Sequence, residues 1–122
     1  MPHPKDKVYG WELNINLYDC DLKKISNSIH IKYFVNELCS KILNVKRTGK
    51  LILKHYGKVH LFGFSFMQLI DASSIVGHFS ESWRSGYIDI FSCRKFDNKK
   101  VAKFAKEFFQ AKKVISCSVA RK

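Results

Sequence analysis

At 122 residues, 46% of them hydrophobic and ten of them Phe, the chain suits one packed core and is too short for two. No apolar run approaches the roughly 20 residues that span a bilayer. The opening MPHPKDK lacks the apolar stretch of a secretory signal, so a soluble cytoplasmic protein is expected. A net charge of +12 invites a nucleic-acid reading, because Lys and Arg displace counterions from phosphates. The lysines are spread along the chain, however, with short clusters only at Lys99-Lys100 and Lys112-Lys113. No RNP-like run, helix-turn-helix signature or Gly-Arg tract accompanies them, which argues against a nucleic-acid binder.

Residues 1–9 hold both prolines and read as a loose arm. Glu12 to Tyr18 alternates, with Leu13, Ile15 and Leu17 on one face, and predicts a half-buried strand that ends at the turn Asp19-Cys20-Asp21. From about Ser28 to Leu43 the apolar positions Ile31, Phe34, Val35, Leu38 and Ile42 recur at helical spacing, behind the N-cap candidates Ser26, Asn27 and Ser28. Lys46 to Lys50 reads as a charged turn without the glycine spacing of a phosphate loop.

Strands are expected at Leu51–Tyr56 and Val59–Ile70 around a Gly57-Lys58 turn, then at Ser74–Ser80 and Tyr87–Cys93. Asp97 caps a second helix whose inner face is Val101, Phe104, Ala105, Phe108 and Phe109, and Lys113–Val119 closes the chain as a strand. Phe64, Phe66, Phe91, Phe104 and Phe108 read as core packing. Two helices cannot cover both faces of a sheet. The expected fold is α+β, an antiparallel-dominated sheet with both helices on one face. LNINLYDC (Leu13 to Cys20) echoes YIDIFSC (Tyr87 to Cys93), each followed by a helix, which suggests two related βαβ-like halves.

Four widely spaced cysteines, with no CxxC pair and no His grouping at zinc-finger spacing, predict free thiols and no metal site. The chemistry concentrates between Ser65 and Cys93, where short strands carry Ser65, Ser73, His78 and Cys93. A serine and a histidine five apart invite a hydrolase reading, but no G-x-S-x-G elbow is present and no acid stands where it would orient His78.

These four positions, in the contexts SSIVGHF and GYIDIFSC, resemble the short prokaryotic S-adenosylmethionine decarboxylases. The intervals of eight, five and fifteen residues match without a gap. The resemblance starts near Gly10, takes in YDCD (Tyr18 to Asp21), and extends through the second helix. It implies a proenzyme that cuts itself between Ala72 and Ser73 into chains 1–72 and 73–122. Ser73 would thereby become a pyruvoyl cofactor that forms a Schiff base with the substrate amine and serves as electron sink. His78 would take the Ser73 α-proton during processing, Ser65 would position the scissile carbonyl, and Cys93 would return a proton to the product. A homodimer and a role in spermidine synthesis are implied as well.

The chain departs from the family's pattern at three places. Ala72 stands where glutamate is common before the cleaved serine. Thr-Trp-Pro-Glu after the histidine is replaced by Phe79-Ser80-Glu81-Ser82, so Glu81 meets the ribose only with a one-residue shift. The adenine-stacking aromatic falls at Val59, leaving Phe62 or His60 to replace it. The alternatives are the same pyruvoyl chemistry on a basic amino acid such as ornithine or arginine, an unprocessed homologue, or a basic nucleic-acid-binding protein.

Overall fold

The computed structural model describes residues 1–122. Six strands form one sheet: β1 (Gly10–Tyr18), β2 (Arg47–Tyr56), β3 (Gly63–Ile70), β4 (Ser73–Ser80), β5 (Ser85–Ser92) and β6 (Lys113–Arg121). Their order is β2-β3-β4-β5-β1-β6, and every neighbouring pair is antiparallel. The alternation of β1 puts Leu13, Ile15 and Leu17 on the same side as Ile88 and Ile90 of β5, their direct partners or neighbours in register. Ile75 of β4 and Phe66 and Ile70 of β3 continue that apolar face.

Three helices cover it. A four-residue α1 (Leu22–Ile25) follows β1 and is capped by the Asp21 carboxylate, which accepts from the Lys23 N–H at 2.9 Å. α2 (Ser28–Glu37) is capped by Asn27, whose Oδ1 accepts from Ile29 and His30, and runs into a wide turn at Leu38–Ile42. α3 (Asn98–Phe108) starts, as expected, at Asp97, which accepts from the Lys100 N–H at 3.1 Å. Phe34 of α2 is the hub. Its ring lies 4.8 Å from Phe109, 5.4 Å from Phe108 and 5.6 Å from Phe104, and meets Phe66 of the sheet edge-on.

The structure corrects several expectations. Lys46 to Lys50 is not a turn: β2 begins at Arg47, and the pairing with β3 shifts register between Thr48 and Ile52. Gly49, at φ +77°, supplies the bulge, and the buried Gln68 amide secures it by donating to the Gly49 carbonyl at 3.1 Å. Val59 to Ile70 is not one strand. A single 3-10 turn occupies Val59–Leu61, and β3 starts at Gly63, where a Cβ would sit 2.1 Å from the Phe79 carbonyl oxygen. Phe91 is not core; it stands on the helix-free face beside Tyr9, with ring centroids 6.0 Å apart.

The βαβ-like halves are of the split kind. β1 and β2 run in the same direction, as do β5 and β6, but three strands separate the first pair and β1 separates the second.

The other face of the sheet carries no helix. Ser65, Met67 and Leu69 of β3, Val76 and His78 of β4, Tyr87 and Phe91 of β5 and Ile52 and Tyr56 of β2 stand on it. Ile52, Tyr56 and Leu69 each keep more than half of their surface open. The core assignment makes a direct prediction. Phe34→Ala should cost about 3–5 kcal/mol, read as a lowered urea midpoint at unchanged slope; a loss under 1 kcal/mol would show that Phe34 is not the hub.

Candidate active site

The β3–β4 hairpin closes through two residues, Asp71 and Ala72, with Ile70 and Ser73 paired across the turn. Ala72 takes φ +49°, a left-handed conformation that a non-glycine residue adopts at a cost of about 1–2 kcal/mol. The peptide bond leading from this strained, exposed residue is the Ala72–Ser73 bond. Ser73 itself is buried. Its hydroxyl donates to the Asp71 carbonyl at 2.9 Å and accepts from the Cys93 N–H at 2.9 Å. The Cys93 thiol, at the end of β5, points to the same Asp71 carbonyl at 3.4 Å. Ala72, Ser73 and Ser74 border an open depression with Leu69 and Phe91. The Ser73 hydroxyl, the Asp71 carbonyl and the Cys93 thiol therefore share one end of the sheet.

Ser65 and His78 are direct partners in the β3–β4 register, and Ser65 Oγ lies 2.7 Å from His78 Nδ1. With Nδ1–H donated to that oxygen, Nε2 keeps a free lone pair and can act as a base. The pair opens into a cavity of about 500 Å³ lined also by Tyr56, Lys58, His60, Leu61 and Tyr87. His60 stacks on Trp83 with centroids 4.3 Å apart and 15° between planes.

The structure thus brings together Ser73 with Cys93, and Ser65 with His78, but not one pair with the other. Five extended residues span about 16 Å, and positions 73 and 78 have opposite parity along the strand. Among the predicted substrate contacts, His60 lies in the cavity with Ser65 and His78. Glu81 and Phe62 do not. Glu81 accepts from His55 Nε2 at 2.6 Å, and the His55 ring stacks on Phe64 at 4.1 Å and leans on Phe62 at 4.5 Å. His55 and Phe64 are cross-strand partners on the helix side of the sheet, so the Glu81 carboxylate is turned away from the cavity. Tyr56, at the end of β2, and Lys58, in the loop after it, line the cavity without any sequence motif to mark them, and Trp83 bears on it through its stack on His60. No group of three His, Cys, Asp or Glu side chains could hold a metal ion, and no helix is long and apolar enough to cross a membrane.

The fold is that of a solved adenosylmethionine decarboxylase from Aquifex aeolicus VF5, which superposes with a TM-score of 0.78 over 94% of this chain and 92% of that one at 17% identity. The S-adenosylmethionine decarboxylase family model matches residues 11–122. The S-adenosylmethionine decarboxylase proenzyme of Clostridium botulinum (strain Langeland, type F) is 33% identical over 112 residues, covering 88% of this chain and 90% of that one. The proenzyme of the Loch Maree strain (type A3) is 33% identical over 105 residues, with 83% and 84% covered. The chain belongs to the S-adenosylmethionine decarboxylase family, whose members are pyruvoyl-dependent carboxy-lyases.

The four cysteines divide by environment. Burial, with the Asp19 charge adding to it, pushes the Cys20 thiol from an ordinary 9.0 up to about 12. Burial likewise lifts Cys39 to about 11 against a smaller opposing pull from Arg47. Unfolded thiols ionise first, so the unfolded chain binds fewer protons between about pH 9 and 12 and stability falls as pH rises through that window. Cys93 is half-buried and Cys117 exposed. At pH 8 a thiol reagent should label Cys93 and Cys117 in the folded protein and reach Cys20 and Cys39 only in denaturant. Rapid labelling of all four without denaturant would contradict the packing.

Proposed function

We propose that the chain is a proenzyme that cuts itself between Ala72 and Ser73, and that the processed protein decarboxylates S-adenosylmethionine, supplying the aminopropyl donor for spermidine synthesis. The observation that carries this reading is the convergence on one turn of a hydroxyl held by a backbone N–H, a residue in left-handed backbone immediately before it, and a thiol. Membership of the family sets the substrate class, a small molecule bearing an amine and a carboxylate.

In processing, the Ser73 oxygen bonds to the Ala72 carbonyl carbon as the C–N bond breaks, turning amide into ester. Release of Ala72 from left-handed backbone favours that step, and the Cys93 N–H supports negative charge on the attacking oxygen. Loss of the Ser73 α-proton to a base then breaks the Cβ–O bond, and Ala72 departs as a carboxylate. The dehydroalanine left behind takes up water and loses ammonia to become the pyruvoyl cap. That group supplies the electron sink for loss of carbon dioxide. Cys93, beside it, is the proton donor to the product carbon.

The base is His78, oriented by Ser65, and it belongs to a second copy of the chain. Within one chain it lies about 16 Å along a straight strand from Ser73. A two-fold axis through the middle of the helix-free face exchanges the two ends of the β3–β4 hairpin, setting His78 of one copy over the turn of the other. The apolar side chains left open on that face, Ile52, Tyr56, Met67 and Leu69, support such a homodimer. His60, in the cavity beside His78, is the substrate contact this arrangement supports.

Intact mass under denaturing conditions tests the reading. The wild-type chain should resolve into residues 1–72 and 73–122, the latter carrying a borohydride-reducible carbonyl, while Ser73→Ala stays at 14.2 kDa. Cys93→Ala should still cleave yet release carbon dioxide about 10²- to 10⁴-fold more slowly. Label should be released from carboxyl-labelled S-adenosylmethionine and not from ornithine or arginine. A single uncut 14.2 kDa wild-type species would overturn the proposal.

A further inference from the structure

Resting on that reading, we infer that Arg94 is the counter-ion for the chain end that processing creates. The segment that follows β5 is fixed by its own bonds: the Ser92 hydroxyl donates to the Arg94 carbonyl at 2.7 Å and accepts from the Arg94 N–H at 3.1 Å. This clip holds Cys93 against Ser73 and Asp71, and it aims the Arg94 guanidinium across the hairpin turn, with Nη2 3.6 Å from Asp71 Oδ2. Arg94 is the cation already in contact with the turn. Lys95, the next positive residue, is exposed and forms no ion pair.

In the uncut chain this exposed pair is worth little, because water screens it. Elimination changes the charge count at the turn. As the Cβ–O bond of Ser73 breaks, the electron pair goes to the Ala72 carboxylate, one residue from the Asp71 carboxylate. Two negative charges then occupy a turn that held one. A guanidinium offers five donors in a planar fork, so it can keep Asp71 and also take the new terminus. Its charge therefore acts where charge develops, on the leaving group, and afterwards it tethers the cut end beside Cys93 instead of letting it fray. Arg47 of β2, the register partner of Ile70, is a further cation near the turn, but the ion pair with Asp71 is made by Arg94, whose one carboxylate partner it is.

Time courses of chain cleavage test the inference. Arg94→Gln should slow cleavage roughly two- to fivefold, the size of one exposed charge contact, and should let the uncut ester accumulate, trapped by hydroxylamine as a residue 1–72 hydroxamate. Arg94→Lys should fall between the two. Lys95→Gln, which removes the neighbouring positive charge but no ion pair with the turn, should cleave within twofold of wild type. Raising salt should slow the wild type and leave Arg94→Gln unchanged. Equal rates for Arg94→Gln and wild type, or equal slowing by Lys95→Gln and Arg94→Gln, would overturn the inference while leaving the self-cleavage reading intact. An uncut wild type would remove both.

Discussion

Ser73 and His78 stand five residues apart on extended backbone, and that interval governs the rest of the structure. β4 is the third strand of six, paired on both sides, so it cannot fold back on itself to bring the two side chains together. One end of the β3–β4 hairpin holds Ser73 with Cys93; the other holds His78 with Ser65. The proposed homodimer answers this separation, and the apolar side chains open on the helix-free face are the surface it would cover.

The turn end is built with economy. A two-residue loop forces Ala72 into left-handed backbone, and the strand β5 delivers Cys93 by ordinary register, through its neighbour Phe91, which pairs with Ser74. The hydroxyl of Ser73 is bonded to the Asp71 carbonyl, one peptide short of the carbonyl it attacks in the proposed processing.

Much of this was legible in the sequence. Alternation in β1 and the helical stripe through Phe34 gave their faces correctly, because burial on one side imposes a period. Asp97 was readable as a cap because its carboxylate has one task at that position. The intervals joining Ser65, Ser73, His78 and Cys93 carried the resemblance to the family, but a linear interval cannot say that Ser65 meets His78 while Ser73 meets Cys93. The bulge at Gly49 was hidden because KRTGK has the composition of a turn, while its backbone bonds to β3 are a matter of long-range pairing. Phe91 was misplaced for a related reason: an aromatic on an exposed face looks like a core residue until the sheet's uncovered side is known. Glu81 matched the family's acid in type, yet its parity on the chain turns it to His55 and the helix side. The His60–Trp83 stack joins two loops that no local pattern connects.

The account turns on base and nucleophile coming from different copies, and subunit complementation tests it most directly. Two inactive chains, Ser73→Ala and His78→Ala, are expressed together with distinguishable tags. Neither should cleave alone. In the mixture, the chain bearing His78→Ala should be cut between residues 72 and 73, in no more than the fraction of mixed dimers formed, and the chain bearing Ser73→Ala should stay whole. If the mixture remains uncut although mixed dimers form, or if the His78→Ala chain cuts itself unaided, the division of the site between two copies is wrong.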